Sequence, residues 1–178
     1  MNPFREFDIA FVGLKPGIHH FSFEIDNKFF QLFDQSPVSN AKINVKLEFD
    51  KKVNFFLLNF QISGTVHLQC DRCADEIDFP IDADYPLVIK FDEHREEDND
   101  DSNADVMYIS RSETLLNVSQ LIYEFVVLSI PMGRITCEHV PSKGKCNEEA
   151  IKVLTTLNRE PEHNPDPRWD KLKKIKTK

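Results

Sequence analysis

The four cysteines of this chain fall into two short clusters, Cys70 with Cys73 and Cys137 with Cys146, and His139 lies inside the second. Two thiolates separated by two residues can hold one metal ion through a tight turn, and folding must then bring up the second cluster. Sulfur donors, with imidazole as a borderline partner, suit tetrahedral zinc. The residues therefore predict a site of Cys70, Cys73 and Cys146 completed by either Cys137 or His139. The first pair has knuckle spacing. The second departs from it, because eight residues separate Cys137 from Cys146. The plainer alternative is four reduced cysteines at strand and loop ends. A redox role for Cys70-Asp71-Arg72-Cys73 is disfavoured, since a strand pattern leads into it and no βαβ context surrounds it. Four protein ligands would make any ion structural, with no open position for catalysis.

Charge supplies the second chemistry. The net charge of −8 is unevenly spread: residues 92–105 carry eight acidic side chains and one arginine, leaving about −1 for everything else. The last eleven residues run the other way at +5, through Arg168, Lys171, Lys173, Lys174, Lys176 and Lys178 against Asp170. Arg72, Arg134, Lys143 and Lys145 flank the cysteines, so closing the site would gather a second basic group beside it. These residues and the tail, Arg168, Lys171, Lys173, Lys174 and Lys176, are the candidates for phosphate contact, against the blander reading of a solvated terminus. No nucleophile elbow, glycine-rich phosphate loop or HExxH helix is present, and no active site is offered. His19, His20 and His67 read as surface residues, the first two in a turn beside Gly17.

The elements that must position the cysteines read as strands first and helices later. Phe21–Ile25 and Ile43–Phe49 alternate apolar and polar residues, the mark of half-buried strands. Asp50-Lys51-Lys52 serves as a hairpin turn into Val53–Phe60, which is apolar on both faces and reads as a central strand. Ile62, Gly64, Val66 and Leu68 continue one face and deliver Cys70 to the strand end on the buried side. Ile77–Ile81 and Tyr85–Phe91 alternate again, with Pro80 and Pro86 asking for free edges or bulges. Residues 92–105 read as a mobile acidic loop and Val106–Ile109 as a short returning strand. Asn117-Val118-Ser119-Gln120 resembles a capping box opening a helix that Pro131 and Gly133 end. Asn147 is expected to cap a helix through Leu157. Asp166-Pro167 opens a last helix, with Trp169, Leu172 and Ile175 as its apolar stripe. The fold class expected is α+β: a mostly antiparallel sheet or partly open barrel, then two to three helices.

With 178 residues, 40% hydrophobic and 29% charged, one domain spanning 1–178 with a real core is expected. No apolar run approaches a bilayer-spanning length, and the opening residues lack a signal-peptide core. A cytoplasmic location is expected, where thiols stay reduced and clustered cysteines favour metal over disulfide.

The strand ending in Cys70-Asp71-Arg72-Cys73 resembles the C-x-R-C signature of the YceD family, the large ribosomal RNA subunit accumulation proteins. Tyr123-Glu124-Phe125 through Ile130-Pro131, Cys146-Asn147 and the terminal run from Asp166 to Lys176 are similar as well. So is the opening Phe11-Val12-Gly13-Leu14-Lys15 with Gly17-Ile18-His19, for one branch of that family. The resemblance implies a non-enzymatic role in making or keeping large-subunit ribosomal RNA. Implied partners are that RNA or its precursor, or an early ribosomal protein, with no membrane and no small-molecule substrate. The alternative is an adaptor or chaperone whose acidic loop holds a basic ribosomal protein. Relatives tend to place a histidine soon after the helix-ending proline; here Cys137 lies nearest that place and His139 follows, so the fourth ligand stays open. The acidic loop also departs from the pattern.

Overall fold

The computed structural model describes residues 3–34, 36–38, 40–91 and 106–157. Its elements run β1 (Asp8–Ile9), β2 (Gly17–Ile25), α1 (Asn27–Phe30), β3 (Ala41–Lys51), β4 (Phe55–Gln69), β5 (Glu76–Phe91), β6 (Val106–Ile109), β7 (Leu116–Asn117), α2 (Ser119–Leu128) and α3 (Glu148–Leu157). Short 3-10 turns at Pro3–Phe7, Phe11–Gly13 and Cys137–His139 complete the order.

Period-two patterning builds the main sheet. Ile43, Val45, Leu47 and Phe49 of β3 meet Gly64, Ile62, Phe60 and Leu58 of β4, so every second residue of both strands points into one core. β4 then pairs with β5 along its whole length, from Phe55 opposite Lys90 to Gln69 opposite Glu76. The five-stranded order is β2-β3-β4-β5-β6, antiparallel except that β6 joins β5 in parallel. The sheet stays open and does not close into a barrel. Its inner face is covered by α1, α2 and the N-terminal segment, with Phe7, Phe11, Phe30, Phe60, Ile122 and Val126 all buried. Aromatic packing joins the layers: Phe125 of α2 stacks on Tyr85 at 4.6 Å and meets Phe60 at 5.1 Å.

Several expectations are refined. Pairing runs through Lys51, opposite Phe56, and the hairpin turns at residues 52–54 instead of at Asp50. β4 is central in the sheet but not covered on both faces: Phe55 and Leu57 are 36% and 38% exposed, because the face opposite the core carries no layer among the described residues. Pro80 and Pro86 sit in one continuous β5, on the stretch where its second edge has no described partner strand. His19 and His20 belong to β2 and not to a turn. The Asn117 side chain accepts from the Ser119 N–H at 3.0 Å, but Gln120 bonds forward to Glu124 at 2.7 Å, so no reciprocal capping box forms at α2. Asn147 does cap α3, accepting from the N–H of Glu149 at 2.9 Å and of Ala150 at 3.3 Å. The acidic segment 92–105 and the tail, with Arg168, Lys171, Lys173, Lys174 and Lys176, lie outside the described residues.

Candidate metal centre

β4 carries its inward register to Cys70, which is 2% exposed at the strand end. The chain then reverses. The Cys70 N–H donates to the Asp75 carbonyl at 2.8 Å and the Ala74 N–H to the Cys70 carbonyl at 2.9 Å. Ala74 takes a positive φ of 58°, the left-handed step that turns the backbone around Cys73. A second loop comes to meet this knuckle. Asp71 joins the two, its N–H donating to the Ile135 carbonyl at 2.8 Å while its carboxylate accepts from the Ile135 N–H at 2.7 Å.

That second loop is shaped by its own hydrogen bonds. The Cys137–His139 turn begins at Thr136, whose N–H donates to His139 Nδ1 at 3.0 Å. The Gly144 N–H returns to the Val140 carbonyl at 3.1 Å with Gly144 at φ +63°, and Cys146 follows after Lys145. Lys143 ties the loops again, donating to the Glu76 carbonyl at 2.7 Å and pairing with Asp75 at 3.2 Å. Ile77, Ile135 and Val140 pack with Cys70 and Cys137 in a small apolar cluster apart from the main core.

All four thiols arrive at one point. Cys73 and Cys137 sulfurs are 3.5 Å apart, Cys70 and Cys146 sulfurs 3.8 Å, and all four lie within 4.8 Å of one another. Four sulfurs at zinc bond length, ~2.3 Å, define a tetrahedron of ~3.8 Å edge. The donor set and its spacing fit that ion. Cys137, and not His139, completes the group; His139 serves as the cap of its own turn. The cysteines are unbridged.

Their electrostatics fit a cation as well. Burial works against ionising Cys70, yet backbone N–H groups of Cys73, Arg72 and Cys137 outweigh it and bring the thiol down to about 6. Burial, then the hydrogen bond to Cys73, pushes Cys137 up to about 12. Cys146 is raised too, by burial and by its contact with Cys70. One thiolate is stabilised by the fold alone, and its neighbours resist adding further negative charge.

The flanking cations divide into two kinds. Arg72 pairs with Glu138 at 3.1 Å and Lys143 with Asp75, so both are partly neutralised within the knuckle. Arg134 and Lys145 are exposed, with no side-chain partner among the described residues. A groove of about 500 Å³ between the knuckle and α3 is lined by Arg72, Arg134, Thr136, Ile151 and Leu154. Asp71 was not anticipated as part of the site; its position inside the CxxC turn was the available signal.

A sequence model of the family described as "Large ribosomal RNA subunit accumulation protein YceD" matches residues 58–176, about two thirds of the chain. The chain belongs to the YceD family. The YceD match starts near the beginning of β4 and encloses all four cysteines, α2 and α3. The family name connects it with accumulation of large-subunit ribosomal RNA and names no reaction. The chain is also 26% identical over 135 residues to "Uncharacterized protein YlbN" of Bacillus subtilis (strain 168), covering 76% of this chain and 74% of that protein. No solved structure matches it. No helix among the described residues is long and apolar enough to cross a membrane.

Proposed function

We propose that this protein is a non-enzymatic factor of the cytoplasm that supports accumulation of large-subunit ribosomal RNA by binding its precursor. In this reading Cys70, Cys73, Cys137 and Cys146 hold a structural zinc ion. The ion neutralises thiolates that would otherwise repel one another and fastens the 134–146 loop to the end of the β4–β5 hairpin. Arg72, Arg134, Lys143 and Lys145 then present cations on a rigid base, and the tail residues Arg168, Lys171, Lys173, Lys174 and Lys176 extend that surface. The observation that carries the reading is the family match enclosing the four-thiol cluster. A knuckle whose own acids already hold two of its cations suits contact with a backbone at a few phosphates, with the remaining attraction coming from the tail.

Sedimentation of native lysate tests this, following the protein against ribosomal precursors with and without ribonuclease. Comigration with a large-subunit precursor, lost on RNA digestion, is the expected result. Comigration that survives digestion and collapses on deleting residues 96–103 would replace the RNA reading with an adaptor for a basic ribosomal protein.

A further inference from the structure

α3 has an apolar face that nothing among the described residues covers. Val153, Leu154 and Leu157 are 58%, 40% and 75% exposed, and no residue of the helix is buried. Only Ile151 and Ala150 are partly covered, Ile151 lining the groove against the knuckle. A ten-residue helix with so little packing gains almost nothing from its own backbone in water. An amphipathic helix of this kind is completed by whatever its stripe lies against.

We propose that the cover is the chain's own C-terminal segment, residues 166–176, folded back antiparallel on α3 with Trp169, Leu172 and Ile175 laid on Leu157, Leu154, Val153 and Ile151. Reach permits it. Residues 158–165 can span up to ~26 Å when extended, against the 8–10 Å between packed helix axes. That link contains Pro161 and Pro165, and proline disfavours a helix interior. Length permits it too, because Trp169–Ile175 in helical form and Ile151–Leu157 each cover ~9 Å.

Charge chooses the occupant and the direction. Antiparallel docking sets Lys173, Lys174 and Lys176 beside Glu148 and Glu149 at the start of α3; a parallel arrangement would strand them near Leu157. A second copy of α3 offers no such match, having Lys152 alone against those two glutamates. The family match also continues past α3 through this segment to residue 176. The docked tail ends at the Glu148 end of α3, where Arg72, Lys145 and Lys152 line one groove. Cations from two distant stretches of sequence would then form a single surface, whatever ligand that surface takes.

Trp169 is the one tryptophan of the chain, so it reports its own docking. The experiment records its emission and its quenching by acrylamide in the full-length zinc-loaded protein, beside Leu157→Asp, Val153→Asp and Val53→Asp. The first two positions are exposed on α3, and Val53, 87% exposed at the β3–β4 hairpin, is the control. Circular dichroism and thermal unfolding confirm that each variant stays folded. The expected result is blue-shifted, protected emission in the parent and in Val53→Asp, moving to that of a solvated indole in both α3 variants. Solvated emission in the parent overturns the proposal. So does protected emission that ignores both α3 substitutions. Protection lost on dilution together with a dimer, seen by analytical ultracentrifugation, would assign the face to a second copy instead.

Discussion

The Cys70 sulfur collects backbone N–H groups while the Cys137 sulfur, 0% exposed, has burial against it, and under the proposed zinc reading this asymmetry would make loading a proton-releasing event. Burial pushes Cys137 up to about 12, so a zinc ion bound there would have to displace its proton, and affinity is expected to fall as pH falls. Competition with a chelator below and above neutrality checks that sign. Cys137→Ser removes one corner of the tetrahedron and is expected to lower bound zinc well below one per chain, read by metal analysis; an undiminished ratio would exclude Cys137 as a ligand. His67 offers a separate titration. Its ring contacts Asp78 at 2.9 Å and Glu76 at 3.3 Å, and the hydrogen bond to Asp78, opposed by burial and aided by Glu76, raises it above 6.5. A raised folded value stabilises fully below 6.5 and is lost as pH climbs through that value. Asp78→Asn should bring the His67 titration back down in NMR spectra, with little change in stability for so exposed a group.

At the scale of elements, Gly64 is the most constrained position in the sheet. It sits at φ +153°, opposite Ile43, and a Cβ there would collide with the Lys42 carbonyl oxygen. Gly64→Ala therefore costs about 2–4 kcal/mol and lowers Tm by ~5–15 °C, measured by thermal unfolding. The knuckle is a second element with its own small apolar cluster, so it is expected to open on its own. If the proposed zinc is bound, removing it with a chelator should abolish hydrogen-exchange protection over 70–77 and 134–146 while β3 and β4 stay protected. Much of this arrangement was legible in the sequence. Alternation gave β3, β4 and the inward placement of Cys70, because a sheet packed on one side imposes a strict period of two. The unbroken length of β5 was not legible, since Asp82 and Asp84 face outward on a bare face and read like a break. Nor was the gathering of Cys137 with the other three thiols while His139 bonds within its own 3-10 turn, because residue spacing carries no trace of that turn. The exposure of Leu57 likewise follows from the lack of a second layer among the described residues, which strand composition alone does not reveal.

Across the whole chain the acidic excess is concentrated in residues 92–105, while basic residues cluster in the sequence around the second cysteine pair and in the last eleven residues, and such clusters attract a polyanion. If RNA is held there, the salt dependence of binding counts the phosphates engaged. Single-stranded RNA loses ~0.7 of slope in log K against log salt for each contact removed. Replacing Lys171, Lys173, Lys174 and Lys176 with glutamine should therefore weaken binding and flatten the slope by about 2–3 if all four meet phosphate. Arg134→Gln, which removes an exposed cation of the groove, should change it by less than ~1. Deleting residues 96–103 removes five acidic side chains and supplies the contrasting case. An RNA-binding end should keep its affinity or gain some, because long-range repulsion falls, whereas an adaptor that grips a basic protein through those carboxylates should lose its partner. Measured together by filter binding across a salt series, the lysine and loop variants separate the two readings: a flattened slope with an intact loop deletion supports RNA contact, and an unchanged slope leaves the tail as a terminus.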